Sequence, residues 1–385
     1  MSYNIHPELG LINRGNLNRI KKVMRRAEAG DRITVGFLGG SITQGSLAEF
    51  HSNCYAHLVF KWWTEKFPKS AFTYVNAGIG GTDSEFGVAR VDRDLMQFLP
   101  DMVFTEFSVN DSNNDLYKET YEGLIRHVLD NRIKPAVALI HNICYDTGVT
   151  AQEIHSEIGR HYELPCIAMQ PTIYAKVIDG TIPNREITPD DLHPNTLGHS
   201  LVASVIIHFL EMVYSQMYEE EAASVCDEKL PAPITDNRYE HSYRIQNGVN
   251  FDNALSSVNG TVNCDGFTID EQIQYHVYET DRNGWKGSRQ SDSIRFEVDA
   301  DTLAVQYIKT VNLPAPIAKA IVDGDEENAV ILDANFDETW GNCLYLQNLP
   351  VREAKKRHTV EIKVVETHDN DAYPFYLVSL IAGLK

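Results

Sequence analysis

Between residues 33 and 169, short apolar segments alternate with helical segments, and this alternation constrains the fold more than any other feature. Apolar runs without polar positions are typical of strands that are buried on both faces of a sheet. Strands separated by helices run parallel, because each helix returns the chain to the same edge of the sheet. The pattern therefore predicts an α/β domain with a flavodoxin-like, doubly wound parallel sheet that binds ligands at the carboxyl ends of its strands.

The same pattern gives approximate bounds for the elements. Strands are expected at 33–41, Ala71–Asn76, Met102–Phe107, Ala136–Ile140 and Cys166–Met169. Helices are expected at Ile12–Ala29, Cys54–Phe67, Ser84–Leu99, Tyr117–Asn131, Thr150–Tyr162 and Pro194–Tyr218. Pro194 is expected in the first turn of its helix, where the missing N–H of proline is not needed.

The composition changes after residue 222, and the periodicity changes after residue 236. The stretch Lys229-Leu-Pro-Ala-Pro-Ile234 is typical of a linker. Farther on, segments such as Ser293–Val298 and Thr359–Val364 alternate apolar and polar residues, as half-buried strands do. A chain of 385 residues with 43% apolar content can bury two cores. We therefore expect a first domain at 1–222, a linker at 223–236 and an all-β, jelly-roll-like sandwich at 237–385.

The formal net charge of −20 limits the partners of the chain. Because this charge repels phosphate backbones and anionic lipid surfaces, we expect neither nucleic acid nor a membrane as a partner. The longest apolar run, Leu201–Tyr214, contains His208 and Glu211, which argues against a transmembrane segment. The first residues show no secretory signal pattern, so we expect a cytoplasmic protein. The spacing of the six cysteines and of the histidines predicts no metal site, and no cofactor is expected.

The first expected strand runs into Gly39-Gly40-Ser41. A serine that follows two glycines at a strand end is a candidate nucleophile, since the tight turn presents its side chain at the sheet edge. The same three residues also form ordinary strand-to-helix turns in which the serine caps the helix. Residues farther along the chain decide between these interpretations.

Three further polar blocks lie at the same edge of the predicted sheet. The second strand is followed by Asn76-Ala-Gly-Ile-Gly-Gly81-Thr82, the third by Ser108-Val-Asn110-Asp111, and Asp190-Asp191-Leu-His193 precedes the last helix. Acyl transfer requires a nucleophile, a base, an acid that orients the base, and N–H donors for the oxyanion. The four blocks contain residues suited to each of these tasks, whereas a helix-capping serine would not account for their convergence.

These blocks resemble those of the SGNH (GDSL) hydrolase family, in which serine, glycine, asparagine and histidine stand in this order. The resemblance implies that Ser41 is the nucleophile and that Asp190 and His193 complete a triad. It also implies an oxyanion hole formed by Ser41, Gly81 and Asn110. Asp191 is the less suitable of the two aspartates. The sequence departs from the family pattern in two of the blocks: Gly40 replaces an aspartate, and Ser108-Val109 replaces glycines.

The order of the two domains resembles that of two-domain carbohydrate acetylesterases of the acetyl-mannan esterase type, in which a carbohydrate-binding-module-like sandwich follows the hydrolase. The expected substrate is therefore an acetylated oligosaccharide from which O-acetyl groups are removed. Trp340 and Trp285 are candidate sugar-binding residues, because both lie in loop-like contexts and aromatic faces bind sugar rings. The alternative for each is packing at the edge of a core.

Two other functions remain compatible with the sequence. One is a lipid or thioester acylhydrolase that uses the same triad; the acidic composition and the lack of an amphipathic membrane helix argue against it. The other is a non-catalytic sugar-binding protein, against which the complete set of triad and oxyanion residues argues. A homo-oligomer is compatible with the sequence, which does not determine the oligomeric state.

Overall fold

A computed structural model describes residues 3–227, 229–247, 260–339, 341–352 and 356–385. The chain divides into two compact units, Met1–Asn237 and Arg238–Lys385. The first contains the mixed sheet with its helices, and the second contains antiparallel sheets. The predicted α/β fold followed by an all-β fold is therefore confirmed.

The sheet of the first unit has the strand order β1-β6-β5-β4-β2-β3. Its strands are β1 (Leu11–Asn13), β2 (Ile33–Gly39), β3 (Phe72–Gly78), β4 (Met102–Glu106), β5 (Ala136–His141) and β6 (Cys166–Ala168). Strands β2 to β6 run parallel, as predicted, while β1 pairs antiparallel with β6 at the edge. We had placed Ile12 in the first helix, because a three-residue edge strand is too short to show a period of two.

The register of the parallel strands brings three strand ends level with one another. Gly39 at the end of β2 is paired with Gly78 of β3 and with Glu106 of β4. The loops that follow these strands therefore leave the sheet side by side.

Helices cover the sheet of the first unit. They are α1 (Asn18–Ala29), α2 (Ser41–Gln44), α3 (Tyr55–Lys66), α4 (Ser84–Asp94), α5 (Asp115–Leu129), α6 (Gln152–His161), α7 (Ala175–Ile178), α8 (Asn184–Ile187) and α9 (Thr196–Ser215). Helix α9 begins at Thr196, because the Asn195 side chain accepts a hydrogen bond from the Gly198 N–H and so caps the helix. Pro194 therefore lies before the helix and not, as expected, in its first turn.

Helix α9 is long and apolar enough to cross a membrane by length and composition. Its apolar side chains, among them Val202, Ile206 and Leu210, are buried in the core of the first unit. Packing against the sheet accounts for the apolar character of this helix.

In the segment 223–236, which we expected to be a linker, residues 231, 234 and 235 bind to the first unit. The buried Glu122 carboxylate of α5 accepts hydrogen bonds from the Ile234 and Thr235 backbone N–H groups, each at 2.8 Å. The Arg126 guanidinium donates to the Pro231 carbonyl oxygen at 2.7 Å. These contacts fix a segment that its proline-rich composition alone would leave free.

The second unit contains two antiparallel sheets, with strand orders β15-β12-β17-β10-β9, where β7 also pairs with β17, and β14-β13-β16-β11-β8. The strands are β7 (Tyr243–Ile245), β8 (Gly260–Asp265), β9 (Thr268–Ile269), β10 (Trp285–Gly287), β11 (Ser293–Ala300), β12 (Thr302–Lys309), β13 (Ile317–Val322), β14 (Val330–Asp333), β15 (Cys343–Leu349), β16 (Lys356–Glu366) and β17 (Phe375–Gly383). Alternate residues of β11, such as Ile294, Phe296 and Val298, are buried, as the sequence period predicts.

Trp285 does not lie on a loop. It begins β10, is 3% exposed, and packs edge-on against Phe296 with ring centroids 5.6 Å apart. The preceding Asn283-Gly284 indicated a turn, but the strand starts directly after it. The prediction that the Trp285 indole is available to a sugar is therefore wrong.

Candidate active site

Ser41 stands at the first position of the short helix α2, directly after the end of β2. The preceding turn is fixed by the Gly40 N–H, which donates to the Glu106 carbonyl oxygen of β4 at 3.3 Å. The Gly45 N–H closes the other side by donating to the Ser41 carbonyl oxygen at 3.0 Å. This turn places a largely buried Ser41 at the carboxyl edge of the sheet.

The structure brings together Ser41, His193 and Asp190. The distance from His193 Nε2 to Ser41 Oγ is 2.7 Å, and that from His193 Nδ1 to Asp190 Oδ2 is 2.6 Å. A carboxylate at Nδ1 favours the tautomer that carries its proton there, which leaves Nε2 free to accept the serine proton. The three side chains thus have the geometry of a nucleophile, a base and an orienting acid.

Asp190 is held in its orientation by the loop to which it belongs. Its Oδ1 atom accepts hydrogen bonds from the backbone N–H groups of His193 at 2.7 Å and of Leu192 at 3.2 Å. Partial burial raises the pKa of Asp190, but the hydrogen bonds from His193 and Leu192 outweigh it and hold the pKa below its usual value. Asp190 is therefore ionised at neutral pH.

Asp191 points away from the imidazole, as we expected. Its carboxylate accepts hydrogen bonds from Asn184 Nδ2 at 2.6 Å and from Arg185 Nη2 at 2.5 Å. Its backbone has a left-handed φ of 69°, and its carbonyl oxygen accepts from the Tyr145 N–H. Asp191 thereby fixes the loop that carries Asp190 and His193.

His199 has a structural position next to this loop. Its Nδ1 accepts from the Tyr55 backbone N–H at 3.3 Å, and its Nε2 lies 3.1 Å from the Ser46 carbonyl oxygen. Burial lowers the pKa of His199 to about 4, so the ring is neutral and donates from Nε2. His199 thus anchors the chain that follows α2.

Gly81 and Asn110, the two expected oxyanion donors besides Ser41, lie on the loops that follow β3 and β4. Gly81 has φ +68°, and a Cβ added to it would meet nothing within 4 Å. The glycine is therefore required by its backbone conformation, and not by close approach of another group. The Asn110 amide lies over the turn before Ser41, with Oδ1 facing Gly40.

The space at Gly40 is occupied by Asn110. A Cβ added to Gly40 would lie 2.3 Å from Asn110 Oδ1 and 3.1 Å from Asn110 Cγ. The missing side chain at this position therefore opens no room beside Ser41. It allows the amide of Asn110 to approach the turn.

Ser108, the other departure from the family pattern, is anchored on both sides. Its Oγ lies 2.9 Å from Glu106 Oε1 and 3.0 Å from the Asn142 carbonyl oxygen, and its N–H donates to Glu106 Oε1 at 3.1 Å. Its carbonyl oxygen accepts from the Ala151 N–H at 2.7 Å. The Ser108 side chain thus fixes the start of the loop that carries Asn110.

Two buried ionisable residues, Arg90 and Glu106, lie below the site. The Arg90 guanidinium of α4 donates to the Gly39 and Ala77 carbonyl oxygens at 3.0 and 2.7 Å, and so joins the ends of β2 and β3. Glu106, at the end of β4, is completely buried, which raises its pKa to about 7. Arg90 also forms an ion pair with Asp94, which lies four residues farther along α4, at 3.1 Å. Because this spacing is also common for ion pairs on helix surfaces, the sequence did not indicate that Arg90 joins two strand ends.

The structure describes only one of the two expected sugar-binding tryptophans. Trp340 lies outside the described residues. Trp285 belongs to the core of the second unit.

Comparisons with known proteins agree with the fold of both units. Residues 37–201 match the GDSL-like Lipase/Acylhydrolase family. The chain is similar to a two-domain esterase (CEX) active on acetylated mannans, in a crystal structure with mannopentaose: the sequences are 50% identical, the TM-score is 0.92, and the match covers 100% of this chain and 99% of that chain. A second crystal structure of a two-domain esterase (CEX) active on acetylated mannans has the same identity and TM-score, with 98% of each chain covered. No curated protein matches the sequence significantly.

Replacement of Gly40 by alanine is expected to lower kcat on an aryl acetate by about 10- to 100-fold, which is less than the loss of about 100- to 1000-fold for a removed oxyanion donor, because the amide is displaced and not removed. The new Cβ would collide with the terminal atoms of Asn110 and displace the amide, while the backbone φ of −87° suits alanine. KM and the melting temperature should change little, which steady-state kinetics and thermal unfolding would measure.

The control for Gly40→Ala is a double-mutant cycle with Asn110→Ala. Once the amide is gone, the alanine at position 40 has room, so the double variant should be no slower than Asn110→Ala alone. Independent, multiplicative losses would show that Gly40 does not act through Asn110.

The buried Glu106 carboxyl predicts that the free energy of unfolding falls as the pH rises. Its folded-state pKa is raised to about 7, so the folded state holds this proton more tightly, and the stability it contributes is lost as the pH rises through about 7. Glu106→Gln should therefore show a shallower decline than the wild type between pH 5.5 and 8 in urea unfolding. Glu65→Gln removes the same charge from an exposed side chain and should leave the slope unchanged; equal slopes in wild type and Glu106→Gln would contradict the prediction.

Proposed function

We propose that this chain, which belongs to the GDSL-like lipase/acylhydrolase (SGNH) family, is a serine esterase that removes O-acetyl groups from acetylated mannan-type oligosaccharides. The observation that carries the proposal is the chain of hydrogen bonds from Ser41 through His193 to Asp190, at 2.7 and 2.6 Å. The substrate class is supported by the two-domain esterase active on acetylated mannans, to which the chain is 50% identical over its whole length.

In the proposed reaction, His193 Nε2 takes the proton of the Ser41 hydroxyl while Oγ bonds to the carbonyl carbon of the acetyl group. The carbonyl oxygen becomes an oxyanion, which the backbone N–H groups of Ser41 and Gly81 and the side-chain amide of Asn110 stabilise. The intermediate then collapses, and the bond to the sugar oxygen breaks. This oxygen receives the proton from His193, and the deacetylated sugar leaves an acetyl-enzyme behind.

Water completes the cycle by the same route. His193 takes a proton from water, the hydroxide oxygen bonds to the acetyl carbon, and the proton returns to Ser41 Oγ as the ester bond breaks. Throughout, the ionised Asp190 stabilises the protonated imidazole, which its hydrogen bond to Nδ1 also keeps in position. Acetate is the second product.

We propose further that the second unit binds the carbohydrate part of the substrate. It contains a cleft of about 280 Å³ whose lining includes Tyr373, Tyr376, Asp270 and Lys286. Tyr373 is 52% exposed, and the Asp270 carboxylate is held by Tyr376 Oη at 2.7 Å and by Lys286 Nζ at 3.0 Å. An exposed aromatic ring beside fixed charged groups suits a sugar, which presents both C–H surfaces and hydroxyl groups.

Replacement of Ser41 by alanine tests the reaction. We expect acetate release from acetylated mannooligosaccharide to fall by about 10³-fold or more, since the nucleophile is lost. Wild-type activity in Ser41→Ala would remove this serine from the mechanism. In the wild type, 4-nitrophenyl acetate should be hydrolysed faster than the octanoate ester, whereas the reverse order would favour the lipid or thioester acylhydrolase.

Replacement of Tyr373 by alanine tests the second unit. Loss of the exposed ring should raise KM for acetylated mannooligosaccharide by about three- to tenfold, as expected for one lost stacking contact, and leave KM for 4-nitrophenyl acetate unchanged. Tyr218→Ala, which removes a 70% exposed tyrosine from the first unit, is the matched control. Equal effects of Tyr373→Ala on both substrates, or none on either, would contradict carbohydrate binding by this cleft.

A further inference from the structure

The Asp111 carboxyl is buried between the two loops that carry the proposed oxyanion donors. Asp111 follows Asn110 directly in the chain, and the backbone N–H groups of both residues donate to the Phe107 carbonyl oxygen, at 2.9 and 3.0 Å. Asn110 and Asp111 thus belong to one tight turn, in which movement of one residue moves the other.

One oxygen of Asp111 reaches the other loop. Oδ1 accepts a hydrogen bond from the Ser84 N–H at 2.9 Å, and Ser84 begins α4 only three residues after Gly81. This N–H is one of the groups that a helix leaves without a partner in its first turn, and the Asp111 carboxyl oxygen supplies the missing acceptor. The contact therefore joins the Asn110 turn to the start of the segment that follows Gly81.

The other oxygen of Asp111 is held from behind. Oδ2 lies 2.9 Å from His155 Nε2 of α6, and the side chains of both residues are completely buried. The His155 ring is stacked on Tyr121 of α5, with centroids 3.6 Å apart and planes inclined by 12°. Asp111 can therefore not turn away from Ser84 without breaking its bond to a histidine that is itself fixed by packing.

Stability alone does not explain a carboxyl at this position. Burial raises the pKa of Asp111 to about 8 and lowers that of His155 to about 3, so each group is hard to charge where it stands. Buried pairs of this kind are often replaced by apolar residues of similar volume without loss of stability. A carboxyl retained between two functional loops points to a task that a leucine could not perform.

We propose that Asp111 is a positioning residue of the oxyanion hole, which sets the Asn110 amide and the Gly81 N–H relative to each other. It touches neither the substrate nor the reacting atoms in this account, and acts through the two loops that it joins. The inference rests on the proposed function. Because oxyanion donors act on the transition state and not on the bound ester, disturbing them lowers kcat and leaves KM nearly unchanged.

The test uses two substitutions of Asp111 in the full chain. Asp111→Leu keeps the volume but offers no acceptor to the Ser84 N–H, and we expect kcat for 4-nitrophenyl acetate to fall by about 100-fold. Asp111→Asn keeps one acceptor oxygen, and its kcat should be about tenfold below that of the wild type. The conservative variant thus retains part of the rate that Asp111→Leu loses. In both, KM should stay within about twofold of the wild type, and the rate should be corrected for the folded fraction from thermal unfolding.

A matched control lies in the second unit. The Asp323 carboxylate makes the same two bonds as Asp111, with a backbone N–H, that of Thr359, at 3.0 Å and with a completely buried histidine, His358, at 2.8 Å. Asp323→Asn should change kcat by less than twofold, whatever its effect on stability. The Asp323 side chain is 36% exposed, so Asp323→Asn measures the effect of disturbing a carboxyl–histidine pair outside the proposed site, while the correction for the folded fraction accounts for the deeper burial of Asp111.

The outcomes separate this inference from the proposed function. If Asp111→Asn keeps kcat within twofold of the wild type while Ser41→Ala is inactive, Asp111 is only structural and this inference falls. If Ser41→Ala remains active, the proposed function itself falls. If Asp111→Leu does not fold, the kinetics of Asp111→Asn alone decide. A loss of activity that is due to a higher KM, or only to a smaller folded fraction, also overturns the positioning role.

Discussion

The parallel register of β2 with β3 and β4 is the constraint on which the rest of the site depends. It pairs Gly39 with both Gly78 and Glu106, so three loops start at the same height above the sheet. A register shift of two residues would move a loop by about 6.6 Å, farther than any hydrogen bond can reach. Phe37 and Phe104 help to fix this register, because they are partners across β2 and β4 and stack with centroids 5.0 Å apart.

Above this register, buried polar groups join the loops. Arg90 donates to carbonyl oxygens near the ends of two neighbouring strands, Glu106 accepts from the start of the loop after β4, and Asp111 accepts from the first turn of α4. Hydrogen bonds suit this task because they fix both distance and direction, whereas apolar contacts tolerate sliding. Each of these buried polar groups costs desolvation energy, so these connections are made at some expense of stability.

The sequence predicted the parts of the molecule that follow from a repeating pattern. The alternation of strands and helices predicted the parallel sheet, and the period of two predicted the sandwich. Both patterns are visible in the sequence because the burial of apolar side chains determines them. Asp190 and His193 could be paired from the sequence, since both lie on one short loop and only three positions separate them. Asp191 is turned away from His193 by its hydrogen bonds with Asn184 and Arg185. This orientation agrees with the expectation that Asp190, and not Asp191, contacts the imidazole.

What the sequence did not predict depends on contacts between distant residues. Strand β1 is formed by three residues that pair with β6, which lies about 150 positions farther along the chain. Segment 223–236 is fixed because Glu122 needs donors for its buried carboxylate, and nothing within the segment indicates this. Trp285 was assigned to a loop because the turn before it was clear, while the three-residue strand after it was too short to show a period.

Gly40 shows how a motif position and a distant side chain depend on each other. The Gly-Asp-Ser-Leu form of the motif has an aspartate side chain at this position. In this chain, a Cβ added to Gly40 would lie 2.3 Å from Asn110 Oδ1. An amide placed as Asn110 is and a side chain at position 40 therefore exclude each other. The glycine and the asparagine are separated by seventy positions in the chain, but the Asn110 side chain occupies the space that a side chain at position 40 would need. The residue before the serine is thus coupled to the position of the Asn110 amide, and its identity has to be interpreted together with the loop after β4.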